Sequence, residues 1–119
     1  MWPSQAVGLG AAANPGMTRA AVAKIARQTA QRVGRETRTN VLELRFAGPL
    51  CGVPDEGALA AIRMGAELEA MITDPVYEGK SLAGLIGLAR SGEIPPGSRV
   101  LYVHLGGAPA LDAYRKAFA

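Results

Sequence analysis

The segment RVLYVHLGG, residues 99 to 107, is the strongest indication of fold class in the chain. Arg99 to Leu105 is rich in β-branched, aromatic and apolar residues on both faces, as a parallel strand covered by helices would be. The Gly106–Gly107 pair then predicts a turn into a last helix, Pro109 to Phe118. The sequence around this segment therefore predicts an α/β fold with a mostly parallel sheet.

The rest of the chain predicts two more strands and three more helices. The strands are Val7 to Leu9 and Thr39 to Phe46, and the helices are Thr18 to Val33, Glu56 to Met71 and Lys80 to Arg90. The order β, α, β, α, α, β, α is typical of an α/β layer fold, although no partner for the second strand is evident. Three short strands form a thin sheet for so many apolar helix faces, so we expect part of the sheet to be missing.

Composition narrows the class of protein further. With 119 residues, of which 49% are hydrophobic and 19% charged, the chain is long enough for a single globular domain, residues 1–119. Its net charge of +3 comes mostly from arginines without interleaved aromatic residues, which favours a solvated face over a nucleic-acid surface. One cysteine excludes an internal disulfide, indicates no metal cluster and fits a reducing, cytoplasmic setting. No apolar run is long enough to span a membrane.

Two motifs resemble nucleotide-binding loops. GLGAAA, residues 8–13, formally matches the G-x-G-x-x-A dinucleotide fingerprint, but Pro15 follows it and no acid lies about twenty residues further on to hold a ribose. EGKS, residues 78–81, resembles the end of a phosphate-binding loop, but the required first glycine would fall at Asp74. We therefore disfavour both interpretations and predict that Lys80 is exposed or paired with a carboxylate.

Several polar residues are ambiguous from spacing alone. His104 precedes the glycine turn, where ligands gather in parallel α/β sheets, but it could equally be structural. Cys51 lies in a Gly-Pro loop without an evident activating base, which favours a small buried hydrophobe over a catalytic thiol. In TDPVYEGKS, residues 73–81, Tyr77 and Glu78 follow an Asp-Pro break. Acids such as Asp74 and Glu78 are favoured at a helix N-terminus without any function, so a helix start and a binding site remain equal alternatives.

Three segments taken together resemble one family. They are TDPVYEGKSLAGLIGLARSGEIPPGSRVLYVHLGGAPALDAY (residues 73–114), RFAGPLCGVPDEGALAAIRMGAELEAM (residues 45–71) and AKIARQTAQRV (residues 23–33). In this order they are similar to 1-aminocyclopropane-1-carboxylate deaminase, a pyridoxal-phosphate enzyme of the tryptophan synthase β-like fold (fold type II). The resemblance runs from about Val7 to Tyr114 and corresponds to roughly the last third of the family's chain. It implies a single partial domain with three layers and a parallel sheet.

The resemblance assigns roles to particular residues. Tyr77 matches the family's active-site tyrosine, which attacks or exchanges a proton with the cofactor-bound substrate. Glu78 matches the acid beside the pyridine nitrogen of pyridoxal phosphate, and Leu105 and Gly106 fall in the HLGG turn at the cofactor. Cys51 stands where the family usually has a second active-site tyrosine, so this substrate-binding position carries a shorter side chain.

Chemistry explains why a phenol and a carboxylate occur together. A carboxylate beside the pyridine nitrogen favours its protonated form, which makes the ring a stronger electron sink. The cyclopropane substrate has no α-hydrogen, so opening its ring needs another group, and a phenol can serve as nucleophile or acid/base. D-Cysteine desulfhydrase, a close relative, typically has hydroxyl residues at positions 78 and 105, so Glu78 and Leu105 favour the deaminase.

The resemblance also implies what the chain lacks. None of Lys24, Lys80 and Lys116 matches the family's Schiff-base lysine, and the phosphate loop falls outside the matched third. We therefore expect this chain alone to be inactive towards its small amino-acid substrate. The alternatives are a non-catalytic fragment that complements a separate amino-terminal chain, or pairs with itself through an exposed sheet edge, and a part of a D-cysteine desulfhydrase.

Overall fold

The computed structural model describes residues 6–10, 14–36, 41–43, 45–48, 50 and 52–119. The elements in chain order are strand β1 (Val7–Leu9), helix α1 (Pro15–Arg32), strand β2 (Val41–Glu43), helix α2 (Glu56–Glu69), helix α3 (Glu78–Arg90) and a 3₁₀ helix (Ala108–Phe118). None of the helices in these ranges is both long and apolar enough to cross a membrane.

Strands β1 and β2 form a small parallel sheet. Val7 lies opposite Val41, and Leu9 lies opposite Glu43. The sequence predicted β1 with its observed bounds, and the structure supplies the partner that was missing for the second strand. Parallel strands need a crossover connection, which α1 provides in a β-α-β unit.

The helix ends follow from their capping residues. The side chain of Asn14 accepts a hydrogen bond from the Met17 amide at 3.2 Å, and Pro15 occupies the first turn, so α1 begins three residues before the predicted Thr18. The side chain of Asp55 caps α2 in the same way, accepting from the Ala58 amide at 2.7 Å. Helix α2 ends at Glu69 rather than Met71 because Ala70 is left-handed, with φ of 52°.

The core lies between α2 and α3. Buried apolar residues of the two helices face each other: Ala58, Leu59, Ala61 and Ile62 on α2, with Leu82 and Leu88 on α3. The helices approach closely at Gly79, where an added Cβ would lie 2.6 Å from Ile62 Cδ1. Each buried leucine or isoleucine stabilises the fold by about 1.5–3 kcal/mol, so this helix pair is the main source of stability in the described part of the chain.

Helix α1 leaves much of its apolar stripe exposed. Ile25 is 62% exposed, and Val33, directly after the helix, is 61% exposed. Within α1, only Ala30 is buried among the residues whose side chains are described. The periodicity is real, but nothing in the described residues covers that face of the helix.

The segment from Arg99 to Leu105 corrects a prediction, because it is not a strand. A strand needs a neighbour to satisfy its backbone groups, and among the described residues no strand lies beside this segment. Leu101 is 88% exposed and Leu105 is 82% exposed, whereas Tyr102 and His104 are tied to the start of α3. The alternation expected of a strand is therefore present without the sheet. The last helix runs from Ala108 to Phe118, close to the predicted range, but has 3₁₀ geometry.

Candidate functional site

Asp74 organises the backbone at the start of α3. Its side chain is buried, and Oδ1 accepts hydrogen bonds from the amides of Val76 at 2.8 Å and Tyr77 at 2.9 Å. Oδ2 accepts from the amide of Glu78 at 3.1 Å. A carboxylate in this place satisfies amides that the helix leaves without partners and complements the helix dipole. Asp74 thereby fixes the backbone of both residues of the Tyr-Glu pair.

Glu78 carries a buried carboxylate in the first turn of α3. Its Oε2 accepts a hydrogen bond from the Tyr102 hydroxyl at 3.2 Å and lies 3.1 Å from His104 Nδ1. No described residue donates a hydrogen bond to Oε1. Oε2 is therefore fixed by the segment that follows α3, whereas Oε1 has no hydrogen-bond donor among the described residues and is available to a ligand.

The Tyr102 hydroxyl lies at the centre of this arrangement. It lies 2.6 Å from Ser81 Oγ and 3.2 Å from the backbone carbonyl oxygen of Glu78. Burial raises the pKa of the Tyr102 phenol above its ordinary value, and the nearby charges of Glu78 and Asp74 raise it further, while the bond to Ser81 acts in the opposite direction. The phenol therefore stays protonated at neutral pH and serves as a donor to Glu78.

His104 connects Glu78 to the glycine turn. Its Nε2 lies 3.1 Å from the carbonyl oxygen of Ile72, and the amide nitrogen of Gly106 lies 3.3 Å from Nδ1. Gly106 has φ of 108°, a conformation that favours glycine. The ring thus holds the beginning of the turn next to the carboxylate, and Glu78 and Gly106, predicted to share a site, both contact it.

The other predicted site residues differ in their placement. Tyr77 directly precedes α3 and is 60% exposed, and Leu105 is exposed beside the turn. Cys51 lies outside the described residues. The backbone carbonyl of each neighbouring residue accepts a hydrogen bond from a side chain distant in sequence. Lys80 Nζ donates to the Leu50 carbonyl at 2.8 Å, and the Tyr114 hydroxyl donates to the Gly52 carbonyl at 2.7 Å.

Lys80 was expected to be exposed or paired with a carboxylate, and the first alternative is wrong because the residue is 1% exposed. Its ammonium and the Asp55 carboxylate both lie near Gly48, since a Cβ built there would be 3.1 Å from Lys80 Nζ and 2.8 Å from Asp55 Oδ2. Lys80 and Glu78 are two positions apart on a helix, so their side chains do not face each other. Lys80 ties the 47–55 loop to α3 on another side of the helix from the carboxylate.

Sequence reasoning missed Ser81 and Tyr102 and left His104 undecided. All three depend on a contact between the start of α3 and a segment more than twenty residues later, which spacing along the chain does not reveal. The available signal was the alternation of Tyr102 and His104 on one face of an extended segment. The described residues contain no group of three His, Cys, Asp or Glu that could hold a metal ion.

The fold defines the class of protein to which this site belongs. A solved structure described as an ACC deaminase homologue matches the chain with a TM-score of 0.84 and 26% sequence identity, over 93% of this chain and 34% of that one. The chain therefore has part of the α/β fold of the type II pyridoxal-phosphate enzymes, which confirms the fold class implied by the resemblance.

Sequence relatives then specify the family. The chain is 55% identical over 112 residues to the 1-aminocyclopropane-1-carboxylate deaminase of Ralstonia pickettii, covering 91% of this chain and 33% of the relative. It is 53% identical over 117 residues to the deaminase of the same name from Burkholderia multivorans, covering 95% and 35%. No family model matches the chain. The chain is therefore similar to part of the 1-aminocyclopropane-1-carboxylate deaminases, and it spans about a third of the length of the curated relatives it matches.

Proposed function

We propose that this chain forms one side of the active site of a 1-aminocyclopropane-1-carboxylate deaminase, which converts that amino acid and water to 2-oxobutanoate and ammonia. The observation that carries the proposal is the Tyr77–Glu78 pair at the start of α3, with the carboxylate buried and the phenol exposed. The names and the 53–55% identity of the curated relatives support the same reaction.

The residues present fit one end of the cofactor that this family uses. A protonated pyridine nitrogen needs a carboxylate acceptor, and Glu78 offers Oε1, which accepts no hydrogen bond from the described residues. The hydroxyl of Thr73, buried next to Asp74, also has no hydrogen-bond partner among them. Native proteins rarely leave a buried hydroxyl such as that of Thr73 unpaired, which supports a partner that a bound group or another part of the enzyme supplies.

No lysine in the described part of the chain is placed to form the covalent bond to the cofactor. Lys24 and Lys116 are exposed on the surface, and Lys80 is buried with its amine on the Leu50 carbonyl. No described lysine therefore lies in a place suited to bond covalently to the cofactor beside Glu78. This supports the expectation that the covalent lysine belongs to the remaining two thirds of the enzyme.

Each residue of the pair has a distinct role in this proposal. The bound cofactor supplies an electron sink for the developing carbanion. Glu78 holds the proton of the ring nitrogen at Oε1, which strengthens that sink. Tyr77 presents its phenol oxygen to the substrate as nucleophile or acid/base, since its side chain is 60% exposed and not committed to the core. Leu105 and Gly106, in the glycine turn that His104 holds, would border the bound ring.

The chain alone is proposed to be inactive, as a single partial domain without the covalent lysine. The test is to mix the purified chain with pyridoxal phosphate, reduce with borohydride and locate any adduct by peptide mass spectrometry, with an assay for 2-oxobutanoate in parallel. We expect no stoichiometric adduct on any one lysine and no product. A stoichiometric adduct together with turnover would contradict the proposal.

A second candidate function is that of a non-catalytic module that completes a separate chain carrying the rest of the enzyme. The extended segment 99–105 favours it, because Val100, Leu101, Val103 and Leu105 are exposed and no described strand pairs with it. Such a segment is a template for strand addition. Co-expression with the remaining two thirds of the Ralstonia pickettii relative should give a stable complex, and Leu101→Lys should weaken it. Two chains that elute separately would exclude this candidate.

The third reading, a part of a D-cysteine desulfhydrase, is disfavoured by Glu78 and Leu105. The test assays this chain combined with the remaining two thirds of the enzyme. If this enzyme releases sulfide from D-cysteine faster than it forms 2-oxobutanoate from the cyclopropane substrate, the desulfhydrase hypothesis replaces the deaminase hypothesis.

A further inference from the structure

The carboxylate of Glu78 is held more firmly than its role as a helix-start acid requires. The terminal torsion of a glutamate side chain is broad, so an unsupported carboxylate would sample many orientations. Here the Tyr102 hydroxyl and the His104 ring both contact the same oxygen, Oε2, at 3.2 and 3.1 Å. Two contacts on one oxygen fix the plane of the carboxylate and therefore the direction of Oε1.

Tyr102 and His104, the two residues that contact Oε2, are each fixed by a further polar contact. The Tyr102 hydroxyl lies 2.6 Å from Ser81 Oγ, which itself lies 2.9 Å from the Glu78 carbonyl oxygen. His104 is anchored through Nε2, 3.1 Å from the Ile72 carbonyl. Groups fixed by outer hydrogen bonds can orient a functional side chain, in the way that outer partners orient metal ligands.

We propose that Ser81, Tyr102 and His104 are positioning residues that lock the Glu78 carboxylate through Oε2 and leave Oε1 directed to the ring nitrogen of the cofactor. This inference rests on the proposed function for the identity of the ligand, whereas the lock on Oε2 is a property of the chain itself. None of the three residues needs to touch the substrate.

A merely structural role would look different. The Tyr102 hydroxyl also lies 3.2 Å from the Glu78 backbone carbonyl oxygen, so the same phenol could simply attach segment 99–105 to α3. In that case Tyr102→Phe and His104→Gln would lower stability without changing the protonation of the cofactor's ring nitrogen. Glu78→Gln, which keeps the size of the side chain and removes its charge, therefore tests the contacts on the carboxylate, and the pH midpoint of the bound cofactor separates the two roles.

The first experiment measures the lock in this chain without cofactor. The phenols are titrated by ultraviolet absorption, with Tyr77→Phe and Tyr114→Phe combined so that Tyr102 is the remaining tyrosine of the three. In this background Glu78→Gln should shift the titration of Tyr102 to lower pH, because a nearby negative charge is lost. It should also change the ¹⁵N signals of His104, the single histidine. Glu67→Gln, at an exposed acid of α2, is the matched control and should change neither.

Folding is checked by circular dichroism, and Ser81→Ala provides a second variant. It removes the partner that lowers the pKa of Tyr102 and should shift the titration to higher pH, the opposite direction to Glu78→Gln. Titration of Tyr102 and signals of His104 that are unchanged in folded Glu78→Gln would overturn the lock.

The second experiment tests whether the contacts on Oε2 affect protonation of the bound cofactor. This chain replaces the matching third of the Ralstonia pickettii relative, and the visible absorption of bound pyridoxal phosphate is followed against pH. Tyr102→Phe and His104→Gln should shift the midpoint to lower pH, because a loosened Glu78 stabilises the ring-nitrogen proton less. Tyr114→Phe, which loses a phenol bonded to a backbone carbonyl elsewhere, is the matched control.

The outcomes separate the two claims. If the chimera binds the cofactor and turns over substrate but the midpoint is the same in all variants, the positioning role is wrong and the proposed function stands. If it folds without binding cofactor, the proposed function fails and the role of Oε1 fails with it, while the lock on Oε2 is still decided by the titration.

Discussion

Gly107 offers a sharp test of how the glycine turn is packed against the start of α3. Its φ is 98°, and a Cβ added there would overlap Asp74 Oδ2 and lie 2.7 Å from Asp74 Cγ. Gly97 has a similar φ of 82°, but an added Cβ would meet nothing within 4 Å. The substitution Gly107→Ala therefore combines backbone strain with a collision, whereas Gly97→Ala has backbone strain alone.

The expected cost follows from these contacts. A side chain in the left-handed region costs about 1–2 kcal/mol, which applies to both variants. In Gly107→Ala the Asp74 carboxylate must also move, and it accepts hydrogen bonds from three amides, Val76, Tyr77 and Glu78. Losing one or two such charged hydrogen bonds costs about 2–4 kcal/mol. We expect Gly107→Ala to lower the free energy of unfolding by about that much more than Gly97→Ala does.

Urea unfolding followed by circular dichroism measures the difference directly, with midpoint and slope fitted for each variant. A loss of stability too large for Gly107→Ala to fold would agree with the estimate, because small domains have only about 5–15 kcal/mol in total. Equal destabilisation of the two variants, within about 0.5 kcal/mol, would refute the proposed contact between the turn and Asp74.

Three further predictions concern the residues around the site. Asp74→Asn should destabilise the chain by about 1–3 kcal/mol in the same urea assay, because the amide group that replaces Oδ2 cannot accept from Glu78; an unchanged midpoint would contradict this. The raised pKa of Tyr102 makes the folded chain bind the phenol proton more tightly than the unfolded chain, so this contribution to stability is complete below pH 10.0 and is lost as the pH rises through the folded-state pKa. The melting temperature, measured from pH 8 to 11, should therefore decline less steeply in Tyr102→Phe than in the unsubstituted chain. Melting temperatures that decline in parallel would contradict this link between phenol protonation and stability. Lys80→Met keeps the buried stem and removes the donor to Leu50, which should cost about 1–3 kcal/mol in urea, whereas exposed Lys116→Met should be neutral; equal effects would contradict the role of Lys80.

The helices could be predicted from the sequence because their signals are local. Asn14 and Asp55 are caps that act on amides three residues away, and the apolar spacing of α2 and α3 corresponds to faces that the structure buries. The strand predicted at 99–105 failed for a physical reason, since a strand depends on a neighbour that the described residues do not provide. Its composition had indicated a strand covered on both faces, whereas the structure engages only Tyr102 and His104 with α3 and the residues beside it.

The site residues also divide into those that the sequence indicated and those that only the tertiary structure reveals. Tyr77 and Glu78 were found through family resemblance, and spacing alone left them ambiguous because an acid at a helix start is favourable without any function. The hold of Tyr102 and His104 on Glu78 joins residues 24 and 26 positions apart, a tertiary contact that no local pattern encodes. The position of Asp74 was predicted as a favourable charge, but its three amide bonds emerged only from the structure.

The central claim is that this chain contributes the Tyr77–Glu78 side of a deaminase pocket whose lysine lies elsewhere. The most direct measurement uses the Ralstonia pickettii relative with its matching third replaced by this chain, which is 55% identical to it over 112 residues. Cys51 has no phenol at the position where the family resemblance implies a tyrosine, so the chimera is assayed for 2-oxobutanoate with and without Cys51→Tyr. The account predicts turnover in the Cys51→Tyr chimera that Tyr77→Phe and Glu78→Gln each reduce at least tenfold, with cofactor still bound. A chimera that folds and binds cofactor but forms no 2-oxobutanoate, or whose turnover is unaffected by both substitutions, would contradict it.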